Sequence, residues 1–502
     1  MSARVVMIQG TGSNVGKSLI AAGLCRAFAN RGLSVAPFKP QNMSNNAAVC
    51  AGGGEIGRAQ ALQAQAAGRA PMVEMNPILL KPESERGAQV IVRGRRGETL
   101  TARDYFRRRA EFLPAVLESF HALCATADLV IVEGAGSPAE INLRDGDIAN
   151  MGFARAVGAP VVLVGDIHRG GVLAAMAGTL QIVDEADARL IEGIIINNFH
   201  GDTALFEDGV RFLEAHTGRP CLGVVPHFAP ARLLPAEDAV ALKEATKGAD
   251  GSIHIAVPRL PRIANFDDLD PLRMEPGVRL SIISPGEALP GDAQIVILPG
   301  TKSTISDLAF VRAQGWDIDI AAHVRRGGRV LGICGGYQML GRRICDPLGL
   351  EGPAGASVAG LGLLDVETVL EKDKTTRVTR AVHAPSGAPI RAYEIHMGQT
   401  AGADCARPFA HVEGRPEGAV RADGLVAGSY LHGAFVSDAF RRAWLAGLGG
   451  APDAGPGYTA RVEEALEGLA AHLAAHVDLD TLLDLARLPR DGKDCKRGKG
   501  QV

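Results

Sequence analysis

Cys334 lies in the run Gly332-Ile333-Cys334-Gly335-Gly336, directly after the apolar stretch Arg329-Val330-Leu331. This reads as a strand entering a glycine-flanked turn with a thiol at its apex, followed by a helix over residues 337–343. Such an elbow lifts the sulfur out of the sheet edge and aims backbone N–H groups at whatever the sulfur attacks. A helix start beneath the sulfur also favours the thiolate. A second device stands near the other end of the chain: Gly10, Thr11, Gly12, Ser13, Asn14, Val15, Gly16, Lys17 and Ser18 run between a strand and a helix. Glycines let backbone N–H groups approach phosphate oxygens, a lysine brings a point charge to the β/γ-phosphates, and a hydroxyl at the last position can ligate Mg²⁺. A nucleophilic thiol and a triphosphate loop on one chain point to an ATP-driven ligase that takes nitrogen from glutamine.

Each device needs partners. For the phosphate loop, Asp128-Leu-Val-Ile-Val-Glu133-Gly134 is an apolar strand ending in a carboxylate. That places Glu133 at the C-terminal edge of a parallel sheet, where it could hold Mg²⁺ with Ser18. Asp166 ends another such strand, and Asn197-Asn198 after the next could read an adenine edge. Glutamine hydrolysis needs a thiolate, a base and an oxyanion hole. The N–H of Gly335 is one expected donor, and the glycine turn at Gly300, in Leu298-Pro299-Gly300-Thr301, is the other. Two histidines compete for the base, His432 and His396. His432 is preferred because it ends a β-like run on a separate element, as the base does in papain-like sites.

The elements that must position these groups alternate β and α. Strands are expected over 5–8, 34–38, 128–132, 160–164, 190–196 and 222–225, with a helix over 17–30. Val/Ile-rich runs of that length suit strands buried on both faces of a parallel sheet. The rhythm lapses over 226–251, which reads as a connection. A second α/β series follows, with strands over 253–258, 278–283, 294–298 and 329–333 and β-like pieces over 390–395 and 424–430. Residues 459–488 are amphipathic and helical. The expected division is therefore 1–235 for an ATP-binding unit, 252–445 for a glutamine-hydrolysing unit, 446–489 for a helical segment and 490–502 for a disordered tail.

Composition narrows the function classes. A net charge of −3 excludes a broad electrostatic nucleic-acid surface. No run approaches the roughly 18 apolar residues of a membrane span. The first residues lead straight into a strand, so no signal peptide is expected. The 8 cysteines form no CxxC pair, which argues against a zinc or disulfide framework and for a reducing cytoplasm.

The motif Gly332–Gly336 resembles class I glutamine amidotransferases, and Gly10–Ser18, with one residue more than the usual loop spacing, resembles the dethiobiotin-synthetase-like ATPases. The two in this order resemble the cobyrinic acid amidating enzymes. Phe38-Lys39-Pro40-Gln41-Asn42-Met43-Ser44-Asn45-Asn46, Arg262-Ile-Ala-Asn-Phe-Asp-Asp-Leu-Asp-Pro271 and Leu298-Pro-Gly-Thr-Lys-Ser-Thr304 narrow the resemblance to the cobyric acid synthase branch. The resemblance implies a P-loop parallel-sheet domain followed by a class I amidotransferase-like α/β domain. It also implies ATP- and glutamine-dependent amidation of the b, d, e and g carboxylates of adenosylcobyrinic acid a,c-diamide, in cobalamin biosynthesis. Cys334 would be the nucleophile, His432 its base and Gly10–Ser18 the ATP loop. The small-molecule partners would be glutamine, Mg-ATP and a corrinoid, with no tightly bound cofactor. Lys39, Gln41 and Asn42, just past the second strand, are candidates for nucleotide or corrinoid contact. The nearest alternatives are a cobyrinic acid a,c-diamide synthase or another ATP-dependent glutamine amidotransferase. One feature departs from the commoner amidotransferases: Gly433 and Ala434 follow His432 where a glutamate is expected two residues on, so the group orienting the histidine must come from elsewhere.

Overall fold

The computed structural model describes residues 3–83, 87–237, 253–450 and 455–490. Its first sheet has six parallel strands in the spatial order Cys221–Pro226, Ile191–Phe199, Val161–Asp166, Arg4–Gly10, Leu129–Glu133, Val35–Phe38. These are the Val/Ile runs of the sequence, and they are buried because helices cover both faces. Arg4–Gly10 is central, and its two neighbours come from later in the chain, so the loop leaving it opens at a topological switch point. Helix α1 (Lys17–Asn30) starts there. The register sets Ile8 beside Glu133, which fixes that carboxylate next to the phosphate loop.

After the second strand the chain departs from simple alternation. Gln41–Met43 pairs in parallel with Ile78–Pro82, and Gly87–Val92 and Arg95–Thr101 extend this into a four-stranded sheet. Helix α2 (Arg58–Ala66) lies between them in sequence, and helix α3 (Ala102–Arg108) follows the last strand. The α3 start is capped by the Thr101 hydroxyl, which accepts from the Asp104 N–H.

The second unit holds the sheet Val278–Ile283, Ile253–Pro258, Ile295–Leu298, Arg329–Ile333, Val426–Ser429, Ala419–Val420, parallel except for its last pair. The helix after Cys334 runs Gly335–Leu340, earlier than expected, because it begins at the elbow itself and Arg343–Asp346 turns into a strand. A long hairpin, Glu367–His383 with Pro389–Ala401, carries a further sheet. Only its second half was legible. The first strand contains Lys372, Asp373, Lys374 and Arg377 and alternates between buried and exposed, so it lacks a continuous apolar run. The short strand Leu431–His432 pairs with this hairpin and sets His432 opposite Tyr393.

The 459–488 stretch is two helices, Tyr458–His476 and Leu479–Leu485, separated where the Asp478 side chain caps the second by accepting from the Thr481 N–H. They do not stand apart. The chain returns to the first unit, where Leu469 and Leu473 close the core against α1. A Cβ on Gly23 would lie 2.5 Å from Leu473 Cδ1, so α1 accepts this helix only because position 23 has no side chain. The Arg487 carbonyl accepts from the Val5 N–H at 2.8 Å, and the Arg490 N–H donates to Val157 at 2.7 Å. Residues 238–252 of the connection and 491–502 of the expected tail lie outside the described residues. Among the described residues no helix is long and apolar enough to cross a membrane.

Leu473 is fully buried in that seam. Leu473→Ala is expected to destabilise the ATP-binding unit by about 2–5 kcal/mol, read as a lower urea midpoint. An unchanged midpoint would mean the returning helix does not belong to that core.

Candidate active site

The phosphate loop wraps Lys17, whose ammonium donates to the Gly12 carbonyl at 2.8 Å and the Gly136 carbonyl at 3.0 Å. Burial lowers its pKa, partly offset by Glu133. Gly16 has φ +97°, and a Cβ there would collide with the Asn197 amide at 2.1 Å. Asn197 Nδ2 in turn donates to the Val15 carbonyl at 2.9 Å. Its amide nitrogen therefore braces the loop. Asp166 accepts from the His168 N–H at 2.8 Å and from Asn198 at 3.3 Å, holding the next loop.

Ser18 Oγ lies 2.7 Å from Glu133 Oε1 and 2.9 Å from Glu237 Oε2. Lys39 Nζ bridges the same two carboxylates at 2.8 and 3.0 Å. Gln63 and Gln60 of α2 donate to the other Glu133 oxygen at 2.6 and 3.3 Å. Glu133 and Lys39 are thus where the sequence put them, beside the loop. Asn42 is buried and donates to Gln60. Gln41 lines a cavity next to Ser13. Glu237 carried no signal in the sequence, since it lies in the stretch that lost its rhythm. Burial would raise its pKa, but Lys39 outweighs burial and holds it below the ordinary value. One hydroxyl and two carboxylates are hard oxygen donors around one point, a set that fits Mg²⁺ shared with phosphate oxygens and water.

In the second site Cys334 has φ +53° and ψ −110°, a strained conformation for a residue with a Cβ. The turn has no slack: a Cβ on Gly336 would lie 2.1 Å from the Leu298 carbonyl. Gly335 begins its helix, so its N–H has no partner within that helix. Gly300 sits across the sulfur, where a Cβ would approach His432 Cε1 at 2.9 Å. His432 Nδ1 is 2.7 Å from Asp268 Oδ2, and the Gly433 N–H donates to Asp268 Oδ1 at 2.6 Å. His432 and Cys334 line one cavity, in which the thiol donates to the Ile395 carbonyl at 3.6 Å. His396 lines the same cavity, but its Nδ1 faces the Gly398 carbonyl at 3.2 Å and its ring stacks on Tyr430. Of the two histidines, His432 holds the closer carboxylate, Asp268 at 2.7 Å, against 3.7 Å between His396 and Glu394. The missing orienting group is Asp268, upstream in the Arg262–Pro271 motif. Chain spacing could not reveal it, because its contact is made only when a loop following the Ile253–Pro258 strand meets the Leu431–His432 strand.

Burial alone would lower the His432 pKa, but Asp268 and Cys334 outweigh it and hold it up at about 10. The next residue, Asp267, pairs with Arg58 of α2 at 2.8 Å, and burial raises it to about 6. Arg58 also donates to Tyr393 OH, whose ring stacks on His432. Helix α2 therefore touches both sites, Glu133 through Gln60 and Gln63 and the thiol site through Arg58. The cavity at Cys334, about 60 Å³, is rimmed by Lys81, Lys302, Lys374 and Glu351. Lys81 comes from the first unit, where it donates to Glu55 at 2.7 Å. Burial lowers Lys374 to about 8 and raises Glu351 to about 7.

Two family models match the chain. Residues 6–238 match the CobQ/CobB/MinD/ParA nucleotide binding domain, and residues 254–440 match the CobB/CobQ-like glutamine amidotransferase domain. A protein named cobyric acid synthase from Jannaschia sp. (strain CCS1) is 61% identical over 96% of this chain and 99% of its own length. The chain belongs to the cobyric acid synthase family. Other members so named are 62% identical in Cereibacter sphaeroides (strain ATCC 17023), over 96% of this chain and 99% of that protein, and 60% identical in Bradyrhizobium diazoefficiens, over 97% and 100%. Within this chain, the thiol, the histidine and its carboxylate come from three separate elements of the amidotransferase unit.

A histidine raised from 6.5 to about 10 adds stability fully present below pH 6.5 and lost as pH rises through about 10. The same group sets the alkaline limb of glutamine hydrolysis. Wild-type kcat/KM for glutamine is expected to fall near pH 10. Asp268→Asn should shift that limb to lower pH and lower kcat by about 100-fold or more. Coincident alkaline limbs in the two proteins would show that Asp268 does not hold the imidazolium.

Proposed function

We propose that this chain converts adenosylcobyrinic acid a,c-diamide to adenosylcobyric acid by amidating its b, d, e and g carboxylates, with glutamine as nitrogen source and Mg-ATP as activator. Family membership supplies the class: a glutamine-dependent amidoligase of cobalamin biosynthesis with a nucleotide-binding domain. The observation that carries the fuller reading is the pair of buried sites joined by α2, a phosphate loop facing two carboxylates and a Cys–His–Asp set. We divide the chain into an ATP-binding unit over 1–235, an amidotransferase unit over 252–445 and a returning segment over 446–489.

In the amidotransferase unit Cys334 Sγ attacks the glutamine carboxamide carbon. The C–N bond breaks, His432 gives its proton to the departing ammonia, and a thioester remains. His432 then takes a proton from water, whose oxygen displaces the sulfur and releases glutamate. Asp268 keeps the imidazole oriented and charged through this exchange. The N–H groups of Gly335 and Gly300 are the oxyanion donors. The lysines around the cavity suit the glutamine α-carboxylate, and Glu351 suits its α-ammonium.

In the ATP-binding unit a substrate carboxylate oxygen attacks the γ-phosphorus and ADP leaves. This overcomes the poor electrophilicity of a carboxylate by turning it into an acyl phosphate. Lys17 and the N–H groups of Gly10–Ser18 hold the β- and γ-oxygens as charge moves onto the bridge. Ser18, Glu133 and Glu237 would hold Mg²⁺, which would neutralise phosphate charge. Ammonia then attacks the acyl carbon and inorganic phosphate leaves. Ammonia is a nucleophile only while unprotonated, so a sheltered passage between the units is required.

Mass spectrometry of cobyrinic acid a,c-diamide incubated with enzyme and Mg-ATP tests this. Wild type should add four amides from glutamine or from ammonia, and Cys334→Ala should add them from ammonia alone. Two amides added to cobyrinic acid itself would instead make the chain an a,c-diamide synthase. An unchanged corrinoid mass with either donor would remove the corrinoid assignment.

A further inference from the structure

One cavity in the ATP-binding unit has no part in the chemistry above. It measures about 490 Å³ and opens directly beside the phosphate loop, with Ser13 and Gly136 at that end. Resting on the corrinoid reading, we propose that this cavity, between the four-stranded sheet, α3 and the loop after Glu133, is where the corrinoid ring edge binds.

The walls fit such a ligand. Leu80 and Val90 of the sheet form an apolar floor. At the mouth, Met43 and Phe106 leave large apolar side chains 57% and 43% exposed. Apolar surface left in water at the rim of a cavity marks a binding face. A corrinoid is a broad, flat macrocycle with an apolar face and a rim of acidic and amide arms. A cavity of this volume cannot enclose it, so the pocket grips one edge and leaves the remainder outside. That suits an enzyme that must present different arms of one ring to a single phosphate loop.

Two polar groups face this space with unmet capacity. Gln41 accepts from the Tyr105 hydroxyl, but among the described residues its amide nitrogen has no partner. Gln41 also sits on the wall nearest the loop, where an arm approaching the γ-phosphate must pass. Arg109 is 8% exposed and makes no ion pair among the described residues. Its Nη2 donates to the Leu143 and Asp145 carbonyls, and its Nε has no partner. Its guanidinium also lies over the Phe106 ring, 4.9 Å from the centroid. A buried guanidinium matched by carbonyls and a ring, with no carboxylate, is set to receive one. Of the cavity's acids, Asp147 is already engaged, accepting the N–H groups of Ala149, Asn150 and Gly152, and Glu140 is exposed to solvent. They therefore repel an acidic ligand less than their number suggests.

The test is equilibrium binding of cobyrinic acid a,c-diamide to the full chain, by retained corrinoid absorbance, alongside the amidation assay. Ala102→Trp fills the cavity from the exposed start of α3, and Phe106→Ala removes a wall from an exposed position, so neither disturbs a core. Each variant should keep wild-type far-UV circular dichroism and bind the corrinoid about tenfold or more weakly. If wild type amidates the corrinoid while both folded variants bind it as tightly as wild type, the ring sits elsewhere and the proposal fails, though the function stands. If wild type neither binds nor amidates the corrinoid, the functional reading itself fails, and this site with it.

Discussion

Asp267 and Asp268 are neighbours in the chain, both buried where the two units meet, and each is matched by one cation. Two carboxylates side by side in a low-dielectric setting cannot both stay charged unless each has its own partner. Arg58 serves the first from the ATP-binding unit, and His432 serves the second from within the amidotransferase unit. The charge state of the catalytic imidazole thereby depends on how the units are docked. Moving α2 away would leave Asp267 uncompensated. It would also withdraw the donor that fixes Tyr393 OH, and with it the ring stacked on His432. Two and five residues further along α2, Gln60 and Gln63 hold Glu133. One short helix thus touches both the carboxylate beside the phosphate loop and the aspartate pair beside the thiol. A packed element shared by two sites is a physical route for coupling between them.

The same economy governs the phosphate end. Lys39 is buried between Glu133 and Glu237, whose negative charges outweigh the effect of burial and keep its ammonium charged. A divalent cation held at Ser18 would compete with Lys39 for both carboxylates. The ammonium and a divalent cation are interchangeable neutralisers of the same pair, which explains how two acids can face a polyanionic ligand without expelling it.

The sequence disclosed what local chemistry determines. Gly10–Ser18, the helix Lys17–Asn30 and the strands Ile253–Pro258, Val278–Ile283 and Arg329–Ile333 were legible because fully buried parallel strands and glycine turns leave short-range marks. Cys334 was legible because its elbow constrains the residues on either side. Asp268, Glu237 and Arg58 were not, because each acts on a partner brought near only by folding of distant segments. A motif can show that Arg262–Pro271 matters without showing which of its three aspartates meets an imidazole. The 446–489 stretch was recognisable as helical, but amphipathicity states only that a face is covered, not which core covers it.

That last point bears on how ammonia can be transferred at all. The amidotransferase unit leaves the first unit after the strand Cys221–Pro226, and the chain comes back as the helix Tyr458–His476, which packs on α1 and next to that same strand. The amidotransferase unit is therefore tethered at both ends to one body. A single tether would leave the mutual orientation to the interface alone, and interfaces between domains of one chain ordinarily permit relative motion. Two tethers, with the buried Arg58–Asp267 pair between them, remove most of that freedom. A gas-like nucleophile that becomes inert on meeting a proton from bulk water demands this arrangement. The thiol site and the phosphate loop must stay in register through repeated turnovers while substrates and products come and go.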